Sequence, residues 1–599
     1  MYTRRFAPLQ SRARKQSILA FDVEGVAPGG FVCGSIATET EAWFFTDRQD
    51  MLAALLDRAH CGAVLVAHNA EYDLSVLTDG QLAGWELLYM EGRLLSAVKR
   101  DHHNHVWRVT DSRNLFPGFS VRQMGDVVGL PKLELPADLM DRISRITSWS
   151  AFSPAEQDTL SAYNIRDSMI VLYAVNWLQD VLLSLGGQLS GTIAGCAMDV
   201  FRRSYLKGQW DTPCQEINDF CRQAYYGARN EPLVYGQVQP VNMYDFISLY
   251  PSVQSTIDFP EPDYLDMEPS PRSFAQFDKR QGIADVMIDV PDTDIPPLPV
   301  RIQGRLFFPT GRLHGCWTLS EIRHALNHGC SLVNTSWVLS GIRSFNPFSD
   351  FINNLFSVRH ALKDAGDARE KIIKFLLNAS YGRYGIRSDN PLQRLTGITP
   401  DTDYSKLQGA HLVEMCGQPY AMVDLTSDYQ PLYAAVILAA HISAGARIRL
   451  HQQMLLSARD TQYVDTDSVF TAGHLVTGDR LGDMRLEQSG VTVNIIGPKE
   501  YIVSRAGQVI DYRAKGIPRS VALEYLKEGH TTYRTPVTVN EAIRYHDVPG
   551  RWKVRGKRRG NDLPKRAFLA PLAGQDFLAT RPWVYPELQQ ALAQWNLNL

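Results

Sequence analysis

Apolar and polar positions follow several distinct rhythms along this chain. Ser17–Phe21 and Gly62–Ala67 are short apolar runs that end in acidic or polar residues. That pattern predicts buried strands that deliver side chains at their C-terminal ends. Ala151–Val181 carries apolar residues at helical spacing, with Ser153-Pro-Ala-Glu156 as its cap. Proline is dense from Pro260 to Pro309, which predicts a loop-rich, short-stranded region. Phe351–Gly382 reads as two helices broken near Asp364-Ala-Gly-Asp367, and Ala435–Leu455 as one more. Gln462–Phe470 reads as two strands meeting at Asp465-Thr-Asp467. The stretch Arg551-Trp-Lys-Val-Arg555 alternates like a strand, and Gly556 predicts that it enters a turn there.

Composition adds little to this picture. A chain of 599 residues with 45% hydrophobic and 21% charged residues is an ordinary globular protein of about four compact units. Its eight cysteines form no C-x-x-C pair, so they are expected to be reduced thiols in a cytoplasmic, non-secretory setting. The apolar run Ala434–Ala440 falls far short of the ~20 residues that span a bilayer, and no membrane partner is expected. Arg4, Arg5, Arg12, Arg14 and Lys15 form a basic arm, which lacks the apolar stretch of a secretory leader. Net charge is -3, so any nucleic-acid surface must be local. Arg551, Lys553, Arg555, Lys557, Arg558 and Arg559 are the best candidate for one, although a solvated hairpin would look the same. His102, His103 and His105 read as an exposed turn.

Three polar segments gain meaning together: Tyr244-Asp-Phe-Ile-Ser-Leu-Tyr-Pro-Ser252, Lys374-Phe-Leu-Leu-Asn-Ala-Ser-Tyr-Gly382 and Tyr463-Val-Asp-Thr-Asp-Ser468. Nucleotidyl transfer needs two divalent ions roughly 3.5–4 Å apart on hard oxygen ligands. Asp245 at a strand end and Asp467 in a hairpin tip can supply them, and Asp465 points the same way if its strand is regular. Asp-Thr-Asp alone would equally suit a polar hairpin turn. Lys374, Asn378 and Tyr381 fall on one helical face.

The set resembles motifs A, B and C of family B DNA polymerases, in the family's order. The resemblance implies that Asp245 and Asp467 bind metal and that Asp465 supports them. It implies that Tyr250 stacks under the incoming sugar and excludes a ribose 2′-hydroxyl. Lys374 would meet the triphosphate, with Asn378 and Tyr381 lining the nascent base pair. Asn378-Ala379 departs from the family's usual Asn-Ser. Tyr225-Tyr-Gly227-Ala228, Ser443-Ala-Gly-Ala-Arg447 and Lys499-Glu-Tyr501 resemble the family's DNA-contacting elements.

A second set lies N-terminal to it: Phe21-Asp-Val-Glu24, His68-Asn-Ala-Glu-Tyr-Asp73 and Tyr163-Asn-Ile-Arg-Asp167. Asp22 and Glu24 share a strand face, and with Asp73 and Asp167 they make four carboxylates for two metals. Tyr163, one helical turn before Asp167, can orient a water. The set resembles the DEDD-type proofreading exonucleases in their Tyr-containing form. Asn69 and Tyr72 would then touch a single-stranded primer end. Lys132 resembles a lysine assisting this site in the terminal-protein-primed branch, and Ser112 and Leu115 resemble a strand-binding element.

The resemblance covers nearly the whole chain and implies a fold. An α/β RNase H-like 3′–5′ exonuclease domain (1–185) is followed by a right-hand polymerase with an α+β palm, helical fingers, a small thumb and two insertions. The palm is expected at 186–258 and 431–525, the fingers at 351–390 and the thumb at 526–599. The stretches 259–350 and 391–430 are longer than palm and fingers need. In the small phage and linear-plasmid polymerases, similar insertions contact a priming protein and support strand displacement. Template-directed, protein-primed and strand-displacing synthesis with proofreading is the expectation. Mg²⁺ or Mn²⁺ would serve as cofactor, two per site. Primer–template and single-stranded DNA, dNTPs and a terminal protein would be its partners, and the enzyme would act as a monomer. The alternatives are a DNA- or RNA-primed or self-priming enzyme, a DNA-processing nuclease whose C-terminal half only grips DNA, and a non-catalytic scaffold. Clustered acids at both sites count against the scaffold, because they repel unless a metal neutralises them.

Overall fold

The computed structural model describes residues 5–597 apart from 28–29, 144, 387–391, 400–401, 403, 408, 426–433, 458–459, 561–562 and 572–574. Arg4 of the basic arm, and parts of the expected second insertion, lie outside the described residues.

A ten-stranded sheet organises the N-terminal module. The strand Ile18–Val26 pairs antiparallel with Gly30–Ala37 and parallel with Val64–Ala67, which in turn pairs parallel with Val106–Asp111. Arg93–Arg100 and Trp85–Met90 continue the sheet antiparallel. Helix α1 (Ala70–Leu77) follows one central strand. The long helix α2 (Pro154–Ser184) packs across Ile18–Val26 and Gly30–Ala37. Its Ser153–Glu156 capping box is the one the sequence predicts. Buried parallel strands with antiparallel flanks and helices on the faces make an α/β RNase H-like layer, as expected.

The sheet continues beyond the N-terminal residues. Leu392–Gly397 pairs antiparallel with Trp85–Met90, and Gln418–Asp424 and His411–Met415 follow it outward. Much of the expected second insertion is therefore three further strands of the N-terminal sheet.

A nine-stranded sheet is built around Val234–Phe246, which pairs with Ser468–Thr471 on one side and Met484–Gly497 on the other. Between these palm segments, four antiparallel strands form a separate sheet in the order Leu265–Pro269, Ser331–Gly341, Gly282–Val290, Gly311–Thr318. Gly282–Val290 is a regular nine-residue strand where proline density suggested short pieces, because its Ile/Val–Asp alternation outweighs the prolines around it. Helix α3 (Leu319–Leu326) starts directly after this sheet on a Thr318–Glu321 capping box. Helices α4 (Ser349–Asp364) and α5 (Glu370–Ala379) form the finger pair, and α6 (Val436–Ser457) lies buried beneath the palm.

Near the C-terminus, His530–Pro536 and Trp552–Arg558 form a two-stranded ribbon enclosing helix α7 (Val539–Tyr545). The expected turn at Gly556 is absent: Gly556 pairs with Thr532 and the strand runs to Arg558. Val537, Val539, Ala542 and Val548 join the apolar cluster of the N-terminal module, together with Leu74, Tyr89 and Tyr420. The chain then returns to the palm. Phe577–Arg581 pairs with Val234–Gly236, and helix α8 (Tyr585–Leu597) buries Leu588 and Leu592 against the four-stranded sheet.

Candidate active sites

The palm sheet brings the first pair of acids together by register. Asp245 stands opposite Ser468, whose hydroxyl donates to Asp245 Oδ1 at 2.9 Å. One residue on, the Phe246 N–H donates to the Asp467 carbonyl at 2.8 Å. The hairpin tip is tight: Thr466 has φ 65° and the Asp467 N–H reaches the Asp465 carbonyl at 2.7 Å. That turn breaks the strand regularity on which Asp465's expected direction rested. Asp465 instead accepts from Asn230 Nδ2 at 2.6 Å and lies 3.3 Å from Lys499 Nζ.

A cleft of about 240 Å³ opens over Asp245 and Asp467. Tyr250 from the palm and Lys374, Asn378 and Tyr381 from the fingers line it, so six residues singled out in the sequence share one wall. Arg359 and Arg485 line it as well, and nothing in the sequence motifs marked them. Arg359 is fixed from two sides, donating to Ser248 Oγ at 3.0 Å and to Glu370 of α5 at 2.9 Å. Its signal, an arginine facing an acid across the predicted helix pair, is visible only once the pairing is known. The ring of Tyr250 lies against that of Tyr381.

Burial raises both carboxyls. Asp467 is pushed up to about 7, first by desolvation and then by Asp245 and Asp465. Asp245 is raised by desolvation, with the Ser468 hydroxyl, Lys374 and Arg485 pulling the other way. Two desolvated, mutually repelling oxygen donors fit hard divalent cations.

In the N-terminal module, Ile18–Val26 carries Asp22 and Glu24, α1 carries Asp73, and α2 carries Tyr163 and Asp167. Desolvation is the largest cause raising all four carboxyls, Glu24 to about 7, and their charges add to one another. Asp22 accepts from Asn164 Nδ2 at 2.7 Å, and Asp73 Oδ1 accepts from the Val23 N–H at 3.1 Å. Asp73 Oδ2 and Asp167 Oδ1 are buried with no hydrogen-bond partner among the described residues. Orphaned carboxylate oxygens in an acidic pocket are what a divalent ion would satisfy. Lys132 donates to Asp167, and its ammonium lies 4.1 Å from the centre of the Tyr163 ring. The Tyr72 hydroxyl donates to the Gly25 carbonyl at 2.5 Å. Asn69 caps α1 with φ 76°, and its Oδ1 accepts from Arg113 at 2.7 Å. His102 and His103 lie in an exposed turn, as expected.

Several expected DNA contacts are turned inward. Leu115 and Ser112 are fully buried, Ser112 against His68 Nδ1 at 2.9 Å, so neither presents a surface to a strand. Ser443 is buried and donates back to the Ala439 carbonyl of its own helix. Arg447 is also buried. It donates to Glu321 at 2.7 Å and to the carbonyls of Tyr226 and Gly227 at 2.6 and 2.9 Å. It thus fixes the Tyr225–Ala228 loop, whose Gly227 is exposed, rather than reaching DNA itself. Tyr501 packs its ring on Tyr463 and Phe470 beside the Asp465 hairpin. In the C-terminal ribbon, Arg551 pairs with Asp547, Lys553 and Arg555 share Glu541, and Arg559 faces Glu500. Lys557 and Arg558 are exposed at its end.

An acidic α/β module joined to a palm, a helical finger pair and a cleft over two acids is the arrangement expected from the sequence. Residues 188–399 match the family described as DNA polymerase type B, organellar and viral. The chain is 25% identical over 350 residues to the DNA-directed DNA polymerase of Enterobacteria phage PRD1, covering 55% of this chain and 58% of that one. It is 23% identical over 352 residues to a probable DNA polymerase of Ascobolus immersus, covering 56% of this chain and 28% of the relative. The chain therefore spans a little over half of the one relative and about a quarter of the other. The fold is that of phi29 DNA polymerase. The structure of that enzyme with primer–template DNA and incoming nucleotide superposes at TM-score 0.67 and 15% identity, over 91% of this chain and 99% of that one. Its complex with single-stranded DNA gives 0.65 and 14%, over 90% and 100%.

Proposed function

We propose that this chain is a template-directed DNA polymerase with a 3′–5′ proofreading exonuclease, protein-primed and able to displace a strand. The observation that carries the reading is the cleft in which Asp245 and Asp467, tied through the Phe246–Asp467 hydrogen bond, face Lys374 of the fingers. Asp245 and Asp467 would hold Mg²⁺ or Mn²⁺, which would supply Lewis acidity for the primer hydroxyl and charge neutralisation for the leaving phosphates. Lys374 and Arg359 bring positive charge to the triphosphate from the finger side. Tyr250 and Tyr381 form the flat floor on which a sugar and base can rest. At the second site, Asp22, Glu24, Asp73 and Asp167 would hold two further ions. Tyr163 would position the attacking water, with Lys132 keeping Asp167 ionised and the ring in place.

The complexes of the phi29 enzyme support primer–template DNA, single-stranded DNA and dNTPs as ligands here. Likeness to the phage PRD1 enzyme, with the separate four-stranded sheet within 265–341 and the three strands that extend the N-terminal sheet, supports protein priming and strand displacement.

The test is a gel assay on a labelled recessed primer–template with Mg²⁺, with and without dNTPs. Extension with dNTPs, lost in Asp245→Asn, and shortening without them, lost in Asp167→Asn, are expected. Extension that survives in Asp245→Asn would overturn the polymerase reading. Shortening with no extension would favour a nuclease. Transfer of a labelled dNMP onto a protein hydroxyl, in the absence of any DNA primer, tests the priming mode.

A further inference from the structure

Outside both acidic sites, three histidines meet where the four-stranded sheet's helix crosses the palm helix. His324 lies on α3, His328 just after it and His451 on α6, and their ligand nitrogens all lie within 4.8 Å of one another. His324 and His451 are buried and His328 is exposed. The ring centres are 4.3, 4.9 and 5.5 Å apart. Three imidazoles on one ion, with metal–nitrogen bonds of ~2 Å, place their ring centres about 5 Å apart.

The surrounding hydrogen bonds orient the rings for this. His328 Nδ1 donates to the His324 carbonyl at 2.7 Å, and His451 Nε2 donates to the Ile295 carbonyl at 2.9 Å. Backbone carbonyls only accept, so the tautomers are set and the lone pairs fall on His328 Nε2 and His451 Nδ1. A ring N–H held by a backbone carbonyl is the usual outer support of a metal-binding histidine. The third contact, His324 Nε2 to His451 Nδ1 at 2.9 Å, needs one proton between two nitrogens. Moving that proton to His324 Nδ1 frees a third lone pair towards the same point. Burial holds His324 and His451 well below the ordinary histidine value, so both rings are neutral, the form that binds metal. The nearby Arg229 pairs with Glu231 at 2.6 Å, a carboxylate it shares with the buried Arg566.

We propose that His324, His328 and His451 form a transition-metal site that takes Zn²⁺, with a water from the exposed side as fourth ligand, and clasps α3 to α6. A nitrogen-only donor set selects a borderline cation over the hard Mg²⁺ or Mn²⁺ of the carboxylate sites. The same helix pair is joined by Glu321 and Arg447, one turn earlier on each helix, so the ion would lock a contact already aligned.

The test uses the full chain, stripped with chelator and dialysed against Zn²⁺ in excess Mg²⁺, beside His328→Ala and His328→Cys. His328 is exposed, so its replacement leaves the core intact, and circular dichroism checks this. Wild type is expected to hold one Zn²⁺ more than His328→Ala, which should bind at least about tenfold more weakly. The zinc absorption-edge spectrum should carry imidazole scattering. Zn²⁺ should raise the Tm of wild type and of the cysteine variant, but not of His328→Ala. Equal zinc in wild type and His328→Ala, or an oxygen-only spectrum, would overturn the site.

Discussion

The rings of Tyr250 and Tyr381 lie 4.5 Å apart between centres with their planes only 12° from parallel, one from the palm and one from the fingers. The stack fixes Tyr250 as a rigid floor beside Asp467. Replacing it with valine should remove the bulk that meets a ribose 2′-hydroxyl. Tyr250→Val is expected to lower discrimination between dNTP and rNTP by at least about tenfold, or ~1.4 kcal/mol. Tyr381→Phe keeps the stack and should change it little. Single-nucleotide incorporation with both substrates reads this out.

Arg447 and Glu321 are each only 2% exposed at the side chain. Removing one partner leaves an uncompensated buried charge, so Arg447→Ala should cost ~3–5 kcal/mol of stability. The paired change Arg447→Met with Glu321→Leu should recover most of it. Urea melts of wild type and the two variants measure the difference. If Arg447 instead touched phosphate, the salt dependence of DNA binding would flatten in a folded Arg447→Lys variant; it is expected to stay unchanged.

The raised carboxyls link metal to pH. Asp467 and Glu24 titrate at about 7, above their ordinary values. The metal-free fold therefore loses stability as pH rises from the ordinary carboxylate range through 7, where these groups ionise against burial and the carboxylates beside them. Cation binding must displace those protons. Mn²⁺ affinity should climb with pH up to about 7, by up to ~tenfold per unit for each proton released, and level off above it. Asp467→Asn should flatten the polymerase-site part of that slope in titrations followed by Mn²⁺ paramagnetic resonance.

Lys132 is the cation that offsets the rise in the Asp167 carboxyl. Lys132→Ala should move Asp167 further up and shift the acid limb of exonuclease activity to higher pH. Polymerase activity should be untouched. Lys132→Arg should restore part of the profile, whereas a purely packing role would lower activity equally at every pH.

Much of both sites could be read from sequence because the chemistry is local. Asp22 and Glu24 share a strand face by periodicity, Tyr163 and Asp167 a helical turn, and Lys374, Asn378 and Tyr381 a finger face. What escaped depends on distant partners. Arg447 resembled a DNA-contacting cation, yet most of its helix is buried, and its acid lies 126 residues away. The pairing of Leu392–Gly397 with Trp85–Met90 leaves no local trace. Gly556 suggested a turn, but a cross-strand neighbour, Thr532, held it extended.

That distant strand pairing has a genetic consequence. The N-terminal module is not a continuous stretch of gene: three of its strands, and the apolar residues of α7 that cap its core, are encoded after the fingers. A fragment ending after α2 would expose the free edge of Trp85–Met90, an open invitation to pair with another copy. Neither half can be shuffled, lost or expressed without the other, so the two acidic sites are bound to evolve as one inheritance.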